Sequence, residues 1–233
     1  MKRIILLFLI VLLLAGCSRK EVFFTDQGIE ELNNSFNGQI IEKEVSIEDA
    51  PPMYDIVYHA DEQTYRNYFR PELRSALDWI VNNTPKNSVF LNWWDYGHMI
   101  RGYTGRSVIV FSPSEDLLWT LASGEWDEES SGPFATDEDT QDVSFALFGD
   151  DIEATRLIME KHGAYYIFVT SIDKDIFEYT LFYKMYSEEE FSEDEKTQKI
   201  EEAIITKLLN GEAFEGFNVA YADQYVKIYQ RIY

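Results

Sequence analysis

Sulfur chemistry is nearly absent from this 233-residue chain, which has one cysteine, Cys17. One cysteine excludes an internal disulfide and any multi-cysteine metal site. Basic residues are also scarce, with 20 Lys and Arg against 42 Asp and Glu and a formal net charge of -22. Nucleic-acid binders need a basic face, so nucleic acid is not an expected partner. Electrostatic adhesion to anionic lipid is excluded on the same ground. No apolar run after Leu14 approaches the roughly 20 residues that a membrane-spanning helix requires. There is no glycine-rich phosphate loop, nucleophile elbow or metal-spaced His/Asp/Glu cluster, and His59, His98 and His162 lie far apart in sequence. No metal, other cofactor or catalytic residue is therefore expected. Aromatic residues, in contrast, make up 15% of the chain and hydrophobic residues 45%, enough to build a real core.

The N-terminus has its own organisation. Lys2 and Arg3 precede an apolar run over residues 4–14, followed by Leu14-Ala15-Gly16-Cys17. Charge, a short apolar stretch and small residues mark a secretory signal. The Leu-Ala-Gly-Cys step resembles the lipobox of prokaryotic lipoproteins, in which the cysteine is lipidated. An uncleaved anchor with an incidental cysteine is the alternative, but the run is short for spanning. The expected organisation is a signal peptide over 1–16 and a tether over 17–50. A single globular domain over 51–233 follows, with an acidic insertion at about 115–141. The lipid on Cys17 would hold it at the cell membrane, on the extracytoplasmic side.

Within the domain, Pro71 suits a first helical position, and Leu73, Ala76, Leu77, Ile80 and Val81 share one helical face. Residues 88–93, 107–111 and 165–170 read as strands. Residues 150–162 read as a helix capped by Asp and closed by Gly163. Ser192-Glu193-Asp194-Glu195 is a capping box opening a helix to Leu209, stopped by Asn210-Gly211. Residues 217–221 and 226–229 read as two further strands. Alternating strands and helices imply an α/β class, with a mixed sheet flanked by helices. The acidic stretch reads as a surface loop or a partly helical insertion.

Trp93-Trp94-Asp95-Tyr96-Gly97 ends the first of these strands. Indole N–H groups only donate and an ionised carboxylate only accepts, so together they can grip a hydroxyl from both sides. The ring faces can pack a methyl group. Ligand sites of α/β proteins also gather at the carboxyl ends of strands. The plainer alternative is an aromatic corner in which Asp95 caps the next turn.

Trp-Trp-Asp-Tyr-Gly resembles the hallmark motif of oligosaccharyltransferase catalytic subunits. The similarity extends to Ala76-Leu77-Asp78-Trp79-Ile80 with Asn83-Thr84-Pro85, to Gly97-His98, to Gly105-Arg106, and to the closing stretch with Val226-Lys227-Ile228-Tyr229. It covers roughly residues 70–233, the soluble C-terminal domain without the membrane domain. The resemblance implies that Trp93, Trp94 and Asp95 recognise the Ser or Thr of an Asn-x-Ser/Thr acceptor. Tyr96 and Gly97 would shape the turn and His98 would line the pocket or pack beside it. In that family the metal-binding acidic residues and the lipid-linked sugar site lie in a many-helix membrane domain that has no counterpart here. A second acceptor-side motif with Asp and Lys has only Asp173 and Lys174 as candidates, at a spacing that does not fit. The resemblance thus implies a non-catalytic, lipid-anchored module that binds Ser/Thr-containing peptide or assists a membrane glycosyltransferase. A soluble half of a split oligosaccharyltransferase, and a structural lipoprotein keeping the motif as a relic, are the alternatives.

Overall fold

The computed structural model describes residues 38–43, 53–123, 137–171 and 192–232. They form an α/β domain with two sheets sharing one hydrophobic core. The first sheet is an antiparallel meander of β1 (Gly38–Lys43), β2 (Met53–Ala60) and β3 (Gln63–Phe69). Tyr54, Ile56 and Tyr58 alternate inward along β2 and are almost fully buried, the period-2 pattern of a sheet with one wet face. Asp61 and Glu62 both have positive φ, 49° and 63°. That is the conformation of a two-residue type I′ hairpin turn. Neither this hairpin nor β1 follows from the sequence reading above. Within the stretch expected to be a tether with some local structure, Gly38–Lys43 forms β1, which pairs with β2 and buries Ile40. The remaining tether residues lie outside the described segments.

The second sheet is mixed, in the order β5-β4-β6-β8-β7. Its strands are β4 (Val89–Asn92), β5 (Ser107–Val108), β6 (Tyr166–Thr170), β7 (Phe217–Ala222) and β8 (Val226–Arg231). The β4 strand runs parallel to β5 and β6, and β8 runs antiparallel to β6 and β7. Every residue of β6 is buried, as a continuous apolar run at the centre of a covered sheet should be.

A single 3-10 turn at Pro71–Leu73 leads into α1 (Arg74–Asn83). The helix α2 (Trp94–Met99) continues into a π-helical turn, Ile100–Thr104. Then come α3 (Glu115–Ser123), α4 (Glu138–Phe148), α5 (Ile152–Lys161), α6 (Glu193–Glu202) and α7 (Ile204–Asn210). The acidic stretch thus contains the helix α3 and the start of α4, while residues 124–136 lie outside the described segments. The capping box at Ser192 and Glu195 forms as expected, as do the left-handed stops at Gly163 and Gly211. The helix opened at Ser192 nevertheless breaks at Ala203, whose ψ of 136° is extended. There the Ile204 N–H donates to the Gly149 carbonyl at 2.8 Å. A tertiary hydrogen bond overrides local helix propensity at this point.

Two interactions fasten α1 to the segment after the motif. The Tyr103 hydroxyl donates to Asp78 at 2.6 Å. The buried Arg106 guanidinium donates to the carbonyls of Val81 (3.0 Å), Thr84 (2.8 Å) and Thr104 (2.7 Å). Arg106 therefore closes the C-terminal end of α1, where carbonyls have no helical partner. Asn83-Thr84-Pro85 and Gly105-Arg106, separate in sequence, are one structural joint.

Candidate functional site

The motif does not end as a strand and turn. Trp93 is extended, with φ -67° and ψ 145°, and stands at the N-cap, so Trp94, Asp95, Tyr96 and Gly97 are already helical. This differs from the expectation that Tyr96 and Gly97 shape a turn. Tyr96 is buried against Phe168 of β6, with ring centroids 5.8 Å apart. Its hydroxyl has no hydrogen-bond partner among the described residues, nor does the side-chain oxygen of fully buried Asn92 at the end of β4. Gly97 acts through its lack of a side chain: a Cβ there would stand 2.3 Å from the Phe111 Cα and 2.3 Å from the Val110 carbonyl oxygen. Only glycine lets residues 110–111 cross the helix this closely. The expected strand over 107–111 is accordingly cut to Ser107–Val108. The Val110 carbonyl accepts instead from the Asn92 side-chain amide at 3.2 Å.

A cleft of about 440 Å³ opens beside α2. Trp94, Asp95, His98 and Met99 supply one side. Asn67, Tyr68 and Arg70, at the end of β3, supply another, and Phe111, Ser112, Pro113 and Leu118 complete it. Of the residues singled out from sequence, Trp94, Asp95 and His98 line the cleft. Trp93 lies beneath it, 7% exposed, stacked on Trp94 with centroids 4.0 Å apart and tilted on Phe148 at 4.8 Å. Asp95 is exposed, in the first turn of α2, where the helix dipole favours an anion. Asp173 and Lys174 lie outside the described residues. Sequence reasoning missed Asn67, Tyr68, Arg70, Phe111 and Leu118. The inward Tyr54, Ile56 and Tyr58 of 53–60 were the available signal for a strand there, but nothing comparable marks 63–70.

His98 combines two roles. It lines the cleft, yet it is only 8% exposed. Its Nδ1 is hydrogen-bonded to the Tyr58 hydroxyl at 2.8 Å, and its ring packs against Tyr65 and edge-on to Phe111. Arg101 lies over Phe111 and Tyr65 and pairs with Asp61. Burial, with a smaller contribution from the Arg101 charge, lowers the His98 pKa to about 4. Between about pH 4 and 6.5 the unfolded chain therefore binds more protons at this site than the folded one. Stability from His98 should rise with pH across that window and be complete above it. The expected gain from pH 4 to 7 is about 2–3 kcal/mol. Denaturant titrations of the parent and His98→Gln across this range measure it, and parallel curves would refute the assignment.

These features define a class: an α/β domain with an aromatic-floored cleft, a carboxylate at its edge, and a sequence motif that forms both. Comparisons with known proteins return the same direction. The chain is 39% identical over 61 residues to the dolichyl-phosphooligosaccharide-protein glycotransferase of Methanocaldococcus jannaschii, covering 26% of this chain and 6% of that protein. It is 53% identical over 35 residues to glycotransferase 2 of Pyrococcus horikoshii, covering 15% and 5%. It is 41% identical over 39 residues to the stt3 subunit of the Schizosaccharomyces pombe glycosyltransferase, covering 17% and 5%. Among solved structures, the C-terminal globular domain of an Archaeoglobus fulgidus oligosaccharyltransferase aligns with a TM-score of 0.49 and 17% identity, over 70% of this chain and 98% of that one. Residues 1–18, which include Cys17, match the model of the prokaryotic membrane lipoprotein lipid attachment site. Short stretches of the chain are thus similar to these glycotransferases and to the stt3 subunit, and the matches span only 5–6% of the length of these curated relatives. Among the described residues, no helix is long and apolar enough to cross a membrane.

Proposed function

We propose that this chain is a lipid-anchored, extracytoplasmic binding module for hydroxyl-bearing peptide segments, related to the acceptor-recognition domain of oligosaccharyltransferases and without catalysis of its own. The observation that carries this reading is the placement of exposed Asp95 on a cleft whose side is Trp94, itself stacked on buried Trp93. The Asp95 carboxylate accepts from a Ser or Thr hydroxyl, and the Trp94 ring packs the threonine methyl. Such a module would serve protein N-glycosylation, presenting or retaining acceptor segments for a membrane-embedded glycosyltransferase.

A hydrogen bond to a charged group contributes about 1.5–3 kcal/mol. Asp95→Ala should therefore weaken binding of an Asn-x-Thr peptide by about ten-fold or more, with only a small fall in melting temperature, because Asp95 is exposed and an anion in the first turn of a helix contributes about 0.3–1 kcal/mol. A Thr peptide should bind better than a Ser peptide by up to about 0.8 kcal/mol, the contribution of one buried carbon group. Calorimetric titration of Thr, Ser and Val peptides checks this. Equal affinity for the Thr and Val peptides would remove the hydroxyl assignment.

A further inference from the structure

The register of the first sheet determines which backbone groups of β3 face outward. In a two-residue hairpin the residues flanking the turn, here Ala60 and Gln63, form a hydrogen-bonded pair. Hydrogen-bonded and non-hydrogen-bonded pairs then alternate. Tyr65 and Asn67 consequently bond back to Tyr58 and Ile56 of β2, while the N–H and C=O groups of Thr64, Arg66 and Tyr68 point away from β2. The sheet order β1-β2-β3 leaves that side of β3 as an edge, and among the described residues no strand pairs with it. An exposed row of backbone donors and acceptors is a template for another extended chain. At the end of the row the Tyr68 N–H donates at 2.7 Å to the side-chain oxygen of its own neighbour Asn67, which leaves Thr64 and Arg66 as the positions a second strand would meet.

This edge borders the cleft. Asn67 belongs to the face of β3 that carries Tyr65 toward His98, and Tyr68 belongs to the opposite face. Both line the same cleft, so the cleft follows the outer edge of the strand rather than either face. A chain laid there would sit on one side against β3. Every second side chain would point toward α2, where Asp95 and Trp94 stand.

We propose that the occupant of the cleft binds by strand addition: an extended peptide carrying a Ser or Thr pairs its backbone with the outer edge of β3 at Thr64 and Arg66, and turns the hydroxyl residue toward Asp95. The peptide class rests on the reading given under Proposed function; the strand geometry rests on the register of β3. Backbone pairing supplies affinity independent of sequence, and the side chains facing α2 supply selectivity, the division of labour that strand-addition domains use.

The experiment is an N-methyl scan. Each backbone amide of a short peptide centred on Asn-Ala-Thr is methylated in turn, and binding to residues 18–233 is measured by calorimetry beside the Thr→Val peptide. Strand addition requires a period of two: methylation at alternate positions should weaken binding by about ten-fold, and methylation between them should change it little. Loss without alternation, or no loss at any position, overturns strand addition. The Val peptide separates the two readings. Alternation that persists with undiminished Val binding keeps the strand mode and removes the hydroxyl pocket. Hydroxyl dependence without alternation does the reverse, and absence of binding by every peptide removes both. Thr64→Pro gives an independent check on the protein side, because Thr64 is an outward position of β3 whose side chain makes only an exposed contact with His59. It deletes one outward N–H while leaving the bonds to β2, a site where an edge strand accepts proline. An unchanged melting temperature with about ten-fold weaker peptide binding supports the proposal, and unchanged binding by the folded variant overturns it.

Discussion

Replacing Trp93 by alanine is expected to destabilise the domain by about 3–5 kcal/mol, the cost of emptying a buried large aromatic site. Trp93 is 7% exposed and sandwiched between Trp94 at 4.0 Å and Phe148 at 4.8 Å. It joins the motif to α4, so its loss leaves a cavity under the cleft and removes the support of the Trp94 ring. Aromatic pairs add about 0.5–1.5 kcal/mol beyond area burial, so Trp93→Phe should recover much of the loss. Chemical denaturation of Trp93→Ala, Trp93→Phe and Asp95→Ala separates the roles. The first should show a large fall in stability, and the second and third only small ones, the third at about 0.3–1 kcal/mol. A Trp93→Ala variant as stable as the parent would mean that the stacked indoles are not the foundation of the site.

The second large effect lies away from the cleft. Arg106→Met should cost about 3 kcal/mol, because it leaves the carbonyls of Val81, Thr84 and Thr104 without their charged donor in a buried setting. For a domain of this size that corresponds to a fall of roughly 6–12 °C in melting temperature. Arg106→Lys should recover only part, since a compact ammonium cannot serve three carbonyls as a planar fork does. Scanning calorimetry of both variants measures the effect. A full recovery by lysine would show that charge alone, and not the fork geometry, closes the joint between α1 and the motif segment.

Gly97 explains why the motif ends in glycine, and the reason is tertiary. The helix α2 could accept alanine by propensity, but the crossing of Val110 and Phe111 at 2.3 Å from an added Cβ could not. His98 illustrates the same separation. A lone histidine in sequence reads equally as packing or as lining, and the fold makes it both, because β2 brings the Tyr58 hydroxyl to one ring nitrogen while the other side borders the cleft.

Local chemistry was sufficient for much of the molecule. The apolar run of β6, the capping box at Ser192 and the glycine stops at Gly163 and Gly211 act within a few residues, so their signals survive in the chain. The short apolar N-terminus ending at Cys17 is legible for the same reason, and so is the Trp-Trp-Asp motif as a candidate site. The hairpin of β2 and β3 was hidden because its turn is Asp61-Glu62 rather than a glycine-containing pair, and positive φ at such residues is held by the strands on either side. Tertiary structure alone decided that Trp93 supports the site from beneath while Trp94 and Asp95 line it. It alone broke the helix at Ala203, cut β5 short and brought Asn67, Tyr68 and Arg70 to the motif. In each case the deciding interaction joins residues distant in sequence. Periodicity reports which face of an element is apolar, but not which partner will cover it.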